Sequence, residues 1–196
     1  MTDLTSTTGA IDVVAVSGGV GFPSSTRRLT DALFAAVQQA AAVQQVAVAA
    51  RTVEVRDLAV DVANATVAGL PSPELDQALA AIERADLVIT ASPVFRGSYA
   101  GIFKSLWDMV DPVAMRGKPV LLGATGGSTR HQLMIDQTMR PLFAYFGALI
   151  VPTAVYAATE DVDLGPKRAP ELARRIEQAG ADAVRMLPAA RTTQPH

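Results

Sequence analysis

The stretch DVVAVSGGVGFPSSTRRL, residues 12–29, decides the fold. Its first part, residues 12–17, is a short β-branched run that stops at two glycines, which is typical of a buried parallel strand at its carboxyl end. Helix-forming residues follow from about Ser25 to Gln45. A strand that enters a helix through a loop of small and hydroxyl-bearing residues is the opening unit of an α/β fold.

The alternation of strand and helix continues through the rest of the chain. Further strands are predicted near 47–55, 86–92, 117–125 and 148–157, further helices near 73–84, 99–110, 129–147 and 170–187, and a loop at 60–73. Five strands that alternate with helices favour a parallel sheet covered on both faces, because right-handed crossovers place the helices there. We therefore expect a three-layer α/β sandwich whose parallel five-stranded sheet has the order 2-1-3-4-5.

Composition excludes several classes of function. The 196 residues fit one domain, and 49% hydrophobic with 18% charged residues is enough apolar material for a sizeable core. Seventeen basic against nineteen acidic side chains give a net charge of -2, which removes the broad basic field that non-specific nucleic-acid binding needs. The sequence has no cysteine, so disulfides, thiolate metal sites, iron–sulfur clusters and a cysteine nucleophile are excluded.

The sequence predicts no targeting or membrane segment. The first ten residues carry neither the charge cluster nor the apolar run of a secretory signal, and no apolar run reaches the roughly 18 residues of a membrane span. We therefore expect a cytoplasmic protein with a single domain at 11–187, a disordered N-terminal tail at 1–10 and a disordered C-terminal tail at 188–196.

Three loops are expected to converge, because the first, third and fourth strands are neighbours in the order 2-1-3-4-5. The first loop, residues 17–28, combines small residues with hydroxyls at the start of a helix, whose free amides and positive dipole end suit a phosphate monoester. It is no dinucleotide fingerprint, because Ser24 stands where a third glycine is needed, and no Walker loop, because Gly-Lys-Ser/Thr does not occur. An ordinary strand-to-helix turn with serine caps is the alternative.

The second and third loops suit a planar ligand. In residues 92–101, Pro93 stiffens the exit from the strand and Gly97 permits unusual dihedral angles, so the remaining amides can face a flat ring. In residues 124–131, two adjacent glycines allow such a ring to lie against the main chain, and His131 either donates to the ring edge or only occupies the first helical turn. No hydrolase-like serine–histidine–acid series and no histidine metal site is found, so neither hydrolysis nor metal catalysis is predicted.

Together the three loops resemble those of the NAD(P)H-dependent FMN reductase family, which has the flavodoxin-like fold, over residues 11–187. The resemblance is to the flavin reductase components of two-component monooxygenases. It implies FMN as the cofactor, NADPH or NADH as the hydride donor, a flavin-dependent monooxygenase as the partner, and a homodimer or homotetramer. An FMN-dependent quinone or azo-compound reductase of the same fold is the alternative, and a flavodoxin-like electron carrier or a non-enzymatic binding protein are further ones.

The resemblance also implies binding roles for residues of the three loops, with no catalytic side chain and no metal ligand. By it, the FMN phosphate is held by Ser17, Ser24, Thr26 and Arg27, and Ser25 belongs to the same cofactor-binding loop. The isoalloxazine is lined by Pro93, Val94, Phe95, Arg96, Gly97 and Ser98, and its pyrimidine side is contacted by Thr125, Gly126, Gly127 and Ser128, with His131 beside them. Phe95 stands where the family has tyrosine, and Arg96 where it has lysine.

Pro141 falls within the helix predicted at 129–147 and cannot donate to the carbonyl of Gln137. We therefore expect a kink, a wide turn or a π-bulge near 137–141. Because this helix begins at the third loop, we also expect it to form a subunit interface.

Overall fold

The structure is a computed structural model that describes residues 10–158, 161 and 169–187. Apart from Ala10, the tails expected at 1–10 and 188–196 lie outside the described residues. The strands are β1 Ile11–Ser17, β2 Val48–Glu54, β3 Leu87–Phe95, β4 Ser98–Tyr99, β5 Pro119–Gly126, β6 Leu149–Ile150 and β7 Val155–Ala158. The helices are α1 Ser25–Val43, α2 Ala59–Ala68, α3 Pro73–Arg84, α4 Gly101–Trp107, α5 Pro112–Met115, a 3-10 turn Thr129–His131, a π-helix Ile135–Met139, α6 Arg140–Tyr145 and α7 Pro170–Arg185.

The sheet has the predicted order. Strands β2, β1, β3, β5 and β6 are neighbours in that sequence and pair in parallel, while β7 also pairs with β5 in parallel. Strands β6 and β7 together occupy the place of the predicted fifth strand, so the order 2-1-3-4-5 is confirmed. The fifth strand is split because its register to β5 changes by two residues, from Pro119 opposite Leu149 in β6 to Gly123 opposite Val155 in β7. Pro152 lies between the two pieces. Its missing N–H would have pointed to the outer side of the sheet, because Leu149 N and Val151 N are the donors to β5.

Helices cover both faces of the sheet, which confirms the three layers. Side chains alternate along each strand, so neighbouring residues enter different cores. One core holds Val14, Val16, Val88 and Leu122 with residues of α2 to α6, and the other holds Val13, Ala15, Ile89 and Leu121 with residues of α1 and α7. The carboxyl ends of β1, β3 and β5 are thereby fixed by buried strands on a rigid framework.

The prediction of a loop at 60–73 was wrong for residues 60–68, which belong to helix α2. The helix buries Val62 and Ala65, three residues apart on one face, and ends at Gly69 with a left-handed φ of 73°. Valine, asparagine and threonine have weak helix propensity, and packing against the core outweighs it here.

The helix predicted at 129–147 consists of three shorter pieces. A 3-10 turn is followed by the π-helix Ile135–Met139 and then by α6, which has Pro141 in its first turn. Met139 before α6 already has helical dihedral angles, so Pro141 lies within a continuous helical run, and the π-bulge is where the chain accommodates its missing N–H. The π-bulge predicted near 137–141 is confirmed, and it lies two residues earlier than expected.

Candidate functional site

The loops that leave β1, β3 and β5 come together at one edge of the sheet. Both β1 and β5 pair in parallel with β3, so all three strands end side by side. Gly18 N donates to Ala91 O at 2.8 Å, which ties the first loop to β3. The hydroxyl oxygens of Thr26 and Thr125, both buried, lie 2.6 Å apart and join the first loop to the third. The predicted convergence of the three loops is confirmed.

The first loop is packed too tightly for side chains at two of its glycines. A Cβ on Gly18 would lie 2.7 Å from Phe103 Cδ2, and a Cβ on Gly19 would lie 2.1 Å from Ser24 Oγ. Ser24 is the N-cap of α1, and its Oγ accepts from Arg27 N at 3.1 Å. The loop therefore exposes main chain and a serine hydroxyl at the positive end of a 19-residue helix, which is an arrangement that binds anions.

Ser17 lies directly before this loop at the end of β1. Its Oγ is buried and has no hydrogen-bond partner among the described residues. A buried hydroxyl without a partner is uncommon in a folded protein. Its position fits a ligand group that accepts a hydrogen bond from it.

The side chain of Arg27 is engaged by two carboxylates. Its Nη1 lies 2.5 Å from Glu54 Oε1, and its Nε lies 2.7 Å from Asp31 Oδ1. The hydrogen bond to Glu54 is the main reason that the pKa of Arg27 is raised, and the hydrogen bond to Asp31 adds to the effect. The guanidinium therefore stays charged. The sequence predicted Arg27 at the phosphate, and the structure places it beside the loop with its charge already paired.

Arg56 connects the first loop to the residues after β2. Its Nη1 donates to Gly21 O at 2.8 Å, its Nε lies 3.2 Å from Asp57 Oδ1, and its guanidinium lies 5.4 Å from the ring centre of Phe22. The ring of Phe22 is 90% exposed. A cation over an aromatic face is attracted by the ring electrons, so Arg56 holds the outer part of the loop by two different contacts.

The second loop, predicted over residues 92–101 between a strand and a helix, contains a β-hairpin that was not predicted from the sequence. Val94 pairs with Tyr99 and Phe95 with Ser98 in antiparallel register. The two residues between the strands, Arg96 and Gly97, both have positive φ, 53° and 83°, which is the geometry of a two-residue hairpin turn. The alternation of β-favouring residues around an x-Gly pair was the signal for it.

Ser92 fixes this hairpin to the start of α4. Its Oγ accepts from Ala100 N at 2.9 Å and donates to Pro93 O at 3.0 Å. The hairpin therefore has a defined position above the end of β3, with the Phe95 side chain about half exposed on it.

The third loop is held by Tyr156 of β7. The Tyr156 hydroxyl donates to Ser128 O at 2.5 Å, and burial raises the pKa of this phenol. A Cβ on Gly126 would lie 2.2 Å from the same hydroxyl, whereas a Cβ on Gly127 would meet nothing within 4 Å. The main chain at Gly127 is thus open on one side, which fits a flat ring lying against it.

Some of the predicted site residues contact one another across the loops, and others lie exposed at the outer parts of their loops. Loop-to-loop contacts join Thr26 to Thr125, and a Cβ on Gly126 would lie 3.5 Å from Val94 Cβ. Arg96 is exposed at the hairpin tip, and His131 is exposed in the 3-10 turn that Ser128 caps. The side chains at the centre of the edge therefore come from the first and third loops.

Sequence reasoning missed Glu54, Arg56 and Tyr156. Glu54 ends β2 and pairs in register with Ser17, so the predicted order of strands already placed it next to the first loop. Tyr156 belongs to β7. Because β7 pairs with β5, the side chain of Tyr156 lies next to the third loop, which follows β5. No sequence pattern marks these residues, because each acts through contacts between distant parts of the chain.

Within residues 10–158, 161 and 169–187, no group of three or more histidine, aspartate or glutamate side chains could hold a metal ion. In the same part of the chain, no helix has the length and apolar character needed to cross a membrane.

The chain is similar to known flavin reductases over most of its length. A family model described as NADPH-dependent FMN reductase matches residues 11–163. A Pseudomonas aeruginosa FMN reductase (NADPH) is 45% identical over 157 residues, which cover 80% of this chain and 81% of the relative. The NADH-dependent FMN reductase SfnF of Pseudomonas putida is 42% identical over 171 residues, which cover 87% and 90%.

A solved structure supports the same grouping. An oxidoreductase from Corynebacterium diphtheriae superposes with a TM-score of 0.85 at 32% sequence identity, over 91% of this chain and 97% of that one. The strand order and flanking helices are those of the flavodoxin-like fold, and a WrbA-like flavodoxin from Agrobacterium tumefaciens superposes with a TM-score of 0.60 at 17% identity, over 95% of this chain and 100% of that one.

Proposed function

Since the chain belongs to the NADPH-dependent FMN reductase family, we propose that it supplies reduced FMN to a partner monooxygenase. The chain is an NAD(P)H-dependent FMN reductase, an oxidoreductase that uses FMN with NADPH or NADH. The proposal of a partner rests on the resemblance of its loops to the reductase components of two-component monooxygenases. The observation that carries it is the paired charge of Arg27, because an arginine that already binds two carboxylates offers less charge to the flavin phosphate, which favours exchange of the flavin.

We place the FMN phosphate at the first loop, with Ser17, Ser24, Ser25, Thr26 and Arg27 around it. The unpartnered Ser17 Oγ and the N-terminus of α1 support this position. Hydroxyls and amides can hold a phosphate there with limited help from side-chain charge.

We place the isoalloxazine between the hairpin and the third loop. Pro93, Val94, Phe95, Arg96, Gly97 and Ser98 would line it on one side, and Thr125, Gly126, Gly127, Ser128 and His131 on the other. The open main chain at Gly127 supports this position. When bound, FMN supplies the hydride acceptor, so the residues of this chain bind and orient the ring and no protein acid or base is needed.

We propose that the enzyme is a homodimer or homotetramer that associates through the region of the π-helix and α6. Tyr145 at the end of α6 is 79% exposed, and Val113 of α5 is 69% exposed. Large apolar side chains that are exposed on helices favour a contact with another subunit. We also propose a cytoplasmic location, which cell fractionation with an antibody to the chain would test.

Rapid mixing tests the reductase activity directly. When FMN-loaded protein is mixed with NADPH or NADH, the flavin absorbance should bleach, and excess FMN should raise the rate of NAD(P)H oxidation in a saturable way. Quinone and azo acceptors are added in separate reactions. If they are reduced much faster than FMN, the alternative quinone or azo-compound reductase replaces the proposed function.

Release of the product tests the supply of flavin to a partner. In an anaerobic reaction with excess FMN, reduced FMN in an ultrafiltrate should exceed the amount of enzyme. Reduced flavin that stays with the protein in one-to-one amount would contradict the proposal.

A further inference from the structure

Glu54 occupies the centre of a charge cluster beside the first loop. It is the last residue of β2 and pairs in register with Ser17, the last residue of β1. Its side chain is only 11% exposed. Oε1 lies 2.5 Å from Arg27 Nη1 and 3.8 Å from Arg56 Nη2, while Oε2 is buried with no hydrogen-bond partner among the described residues.

The cluster has more negative than positive charge. Arg27 also pairs with Asp31, and Arg56 also pairs with Asp57, so two guanidinium groups face three carboxylates. Asp31 and Asp57 are 52% and 67% exposed, so water screens them well, whereas Glu54 is screened little. Charge-assisted bonds from an arginine strengthen the binding of a phosphate, and here the guanidinium of Arg27 is already paired.

We infer that Glu54 competes with the FMN phosphate for Arg27 and thereby keeps FMN exchangeable. This inference rests on the proposed position of the phosphate at the first loop. A phosphate at the start of α1 either draws Arg27 away from Glu54, which leaves a nearly buried carboxylate without its closest counter-charge, or is held without Arg27. Both cases make FMN binding weaker than the amides, hydroxyls and cation would otherwise give.

A comparison of FMN with riboflavin separates the effect of Glu54 on the phosphate from any effect on the ring and the ribityl chain. Riboflavin carries the same ring and ribityl chain as FMN but has no phosphate, so it does not meet the competition for Arg27. Glu54 should therefore influence FMN binding and leave riboflavin binding nearly unchanged.

The substitution Glu54→Gln tests the inference. Glutamine keeps the size of the side chain and can still accept from Arg27, but it has no charge. FMN titrated into the flavin-free protein and followed by fluorescence quenching should bind roughly three- to tenfold more tightly to the variant, while riboflavin changes by less than about twofold. Glu177→Gln, which removes an exposed carboxylate of α7, is the matched control and should change neither affinity.

An unchanged or weaker FMN affinity in Glu54→Gln, with riboflavin binding intact, overturns the inference. Equal affinity of the wild type for FMN and riboflavin would instead contradict the proposed phosphate position. Loss of hydride transfer would contradict the enzyme activity, and a reduced flavin that is never released would contradict the supply of a partner.

A measurement on the wild-type protein covers the case in which Glu54→Gln does not fold. Raising the salt concentration from about 50 to 500 mM weakens binding of an anion to a site with free positive charge. With Arg27 held by Glu54, the ratio of FMN to riboflavin affinity should change by less than about twofold over this range. A tenfold fall in that ratio would show that a free cation holds the phosphate.

Discussion

Arg27 illustrates what a single side chain contributes at this site. The residue lies in the first turn of α1, where a cation is close to a bound anion, but its guanidinium contacts Glu54 and Asp31. Its effect on a phosphate therefore depends on what remains when it is removed. Without Arg27, the nearly buried Glu54 next to the loop loses its nearest counter-charge.

Substitution of Arg27 by alanine should weaken FMN binding by roughly ten- to a hundredfold, because it removes one cation and leaves one carboxylate uncompensated. Riboflavin should hardly respond. Fluorescence titration with both flavins measures the difference, and Arg174→Ala, which breaks an exposed ion pair on α7, serves as the control. Equal losses for both flavins would mean that Arg27 acts on the fold of the loop and not on the phosphate.

Tyr156 should act on the other end of the flavin. In Tyr156→Phe, Ser128 O loses its side-chain donor, and the third loop loses a contact worth about 0.5 to 1.5 kcal/mol. FMN and riboflavin should both bind roughly three- to tenfold more weakly, because the third loop faces the ring that they share. Tyr145→Phe removes an exposed hydroxyl and should bind both flavins like the wild type. A loss confined to FMN would place Tyr156 at the phosphate end.

The sequence predicted the first and third loops as parts of one site, because hydroxyls and glycines at strand ends follow a local pattern. It could not predict that Arg27 is paired with Glu54, since Glu54 is 27 residues away and meets it only after β1 and β2 align. The same reason hid the role of Tyr156. Local residue type thus identified the loops, and the tertiary contacts decided the charge that they present.

At the scale of elements, the long helices α1 and α7 are packed backbone to backbone on one face of the sheet. A Cβ on Gly180 of α7 would lie 2.6 Å from the carbonyl carbon of Ala36 and 2.7 Å from its oxygen. No side-chain rotation can relieve a contact with backbone. The glycine is therefore required by the distance between the two helices.

We expect Gly180→Ala to destabilise the protein by roughly 1 to 3 kcal/mol, because α7 must move away from α1. Helix propensity alone would stabilise the same substitution by about 1 kcal/mol. Gly101→Ala, at a helix position where a Cβ meets nothing within 4 Å, is the control and should be neutral or stabilising. Urea denaturation measures both, and a more stable Gly180→Ala would show that the helices separate without cost.

The elements that the sequence predicted best are those with a strong local signal. Helix α3, from Pro73 to Arg84, has the predicted bounds because Ser72 caps it and a proline starts it. Helix α2 was missed because it depends on burial against the core. The fifth strand was predicted as one piece because the two-residue change of register between β6 and β7 leaves no mark in a β-favouring run. Neither feature can be predicted from the hydrophobic periodicity of the sequence.

At the scale of the whole molecule, the exposed apolar side chains of α5 and α6 favour association. Light scattering at micromolar concentration should give a dimer or a tetramer. The double substitution Val113→Glu with Tyr145→Glu should shift the distribution towards the monomer, because two buried charges at an interface cost more than the contacts they replace. The matched pair Val43→Glu with Val67→Glu places charges at other exposed positions and should leave the mass unchanged. A wild-type monomer would contradict the proposed interface.

The split of the fifth strand also bears on how the molecule avoids uncontrolled association. An intact strand at the border of a sheet offers a row of unpaired amides and carbonyls to any other chain, and native proteins often interrupt such strands with proline. Here Pro152 divides the border strand into pieces of two and four residues, too short to template an incoming chain. A border strand in short pieces, with no N–H at Pro152, gives little opportunity for edge-to-edge pairing with another chain. We therefore expect Pro152→Val to increase aggregation during refolding, even where the folded enzyme keeps its activity.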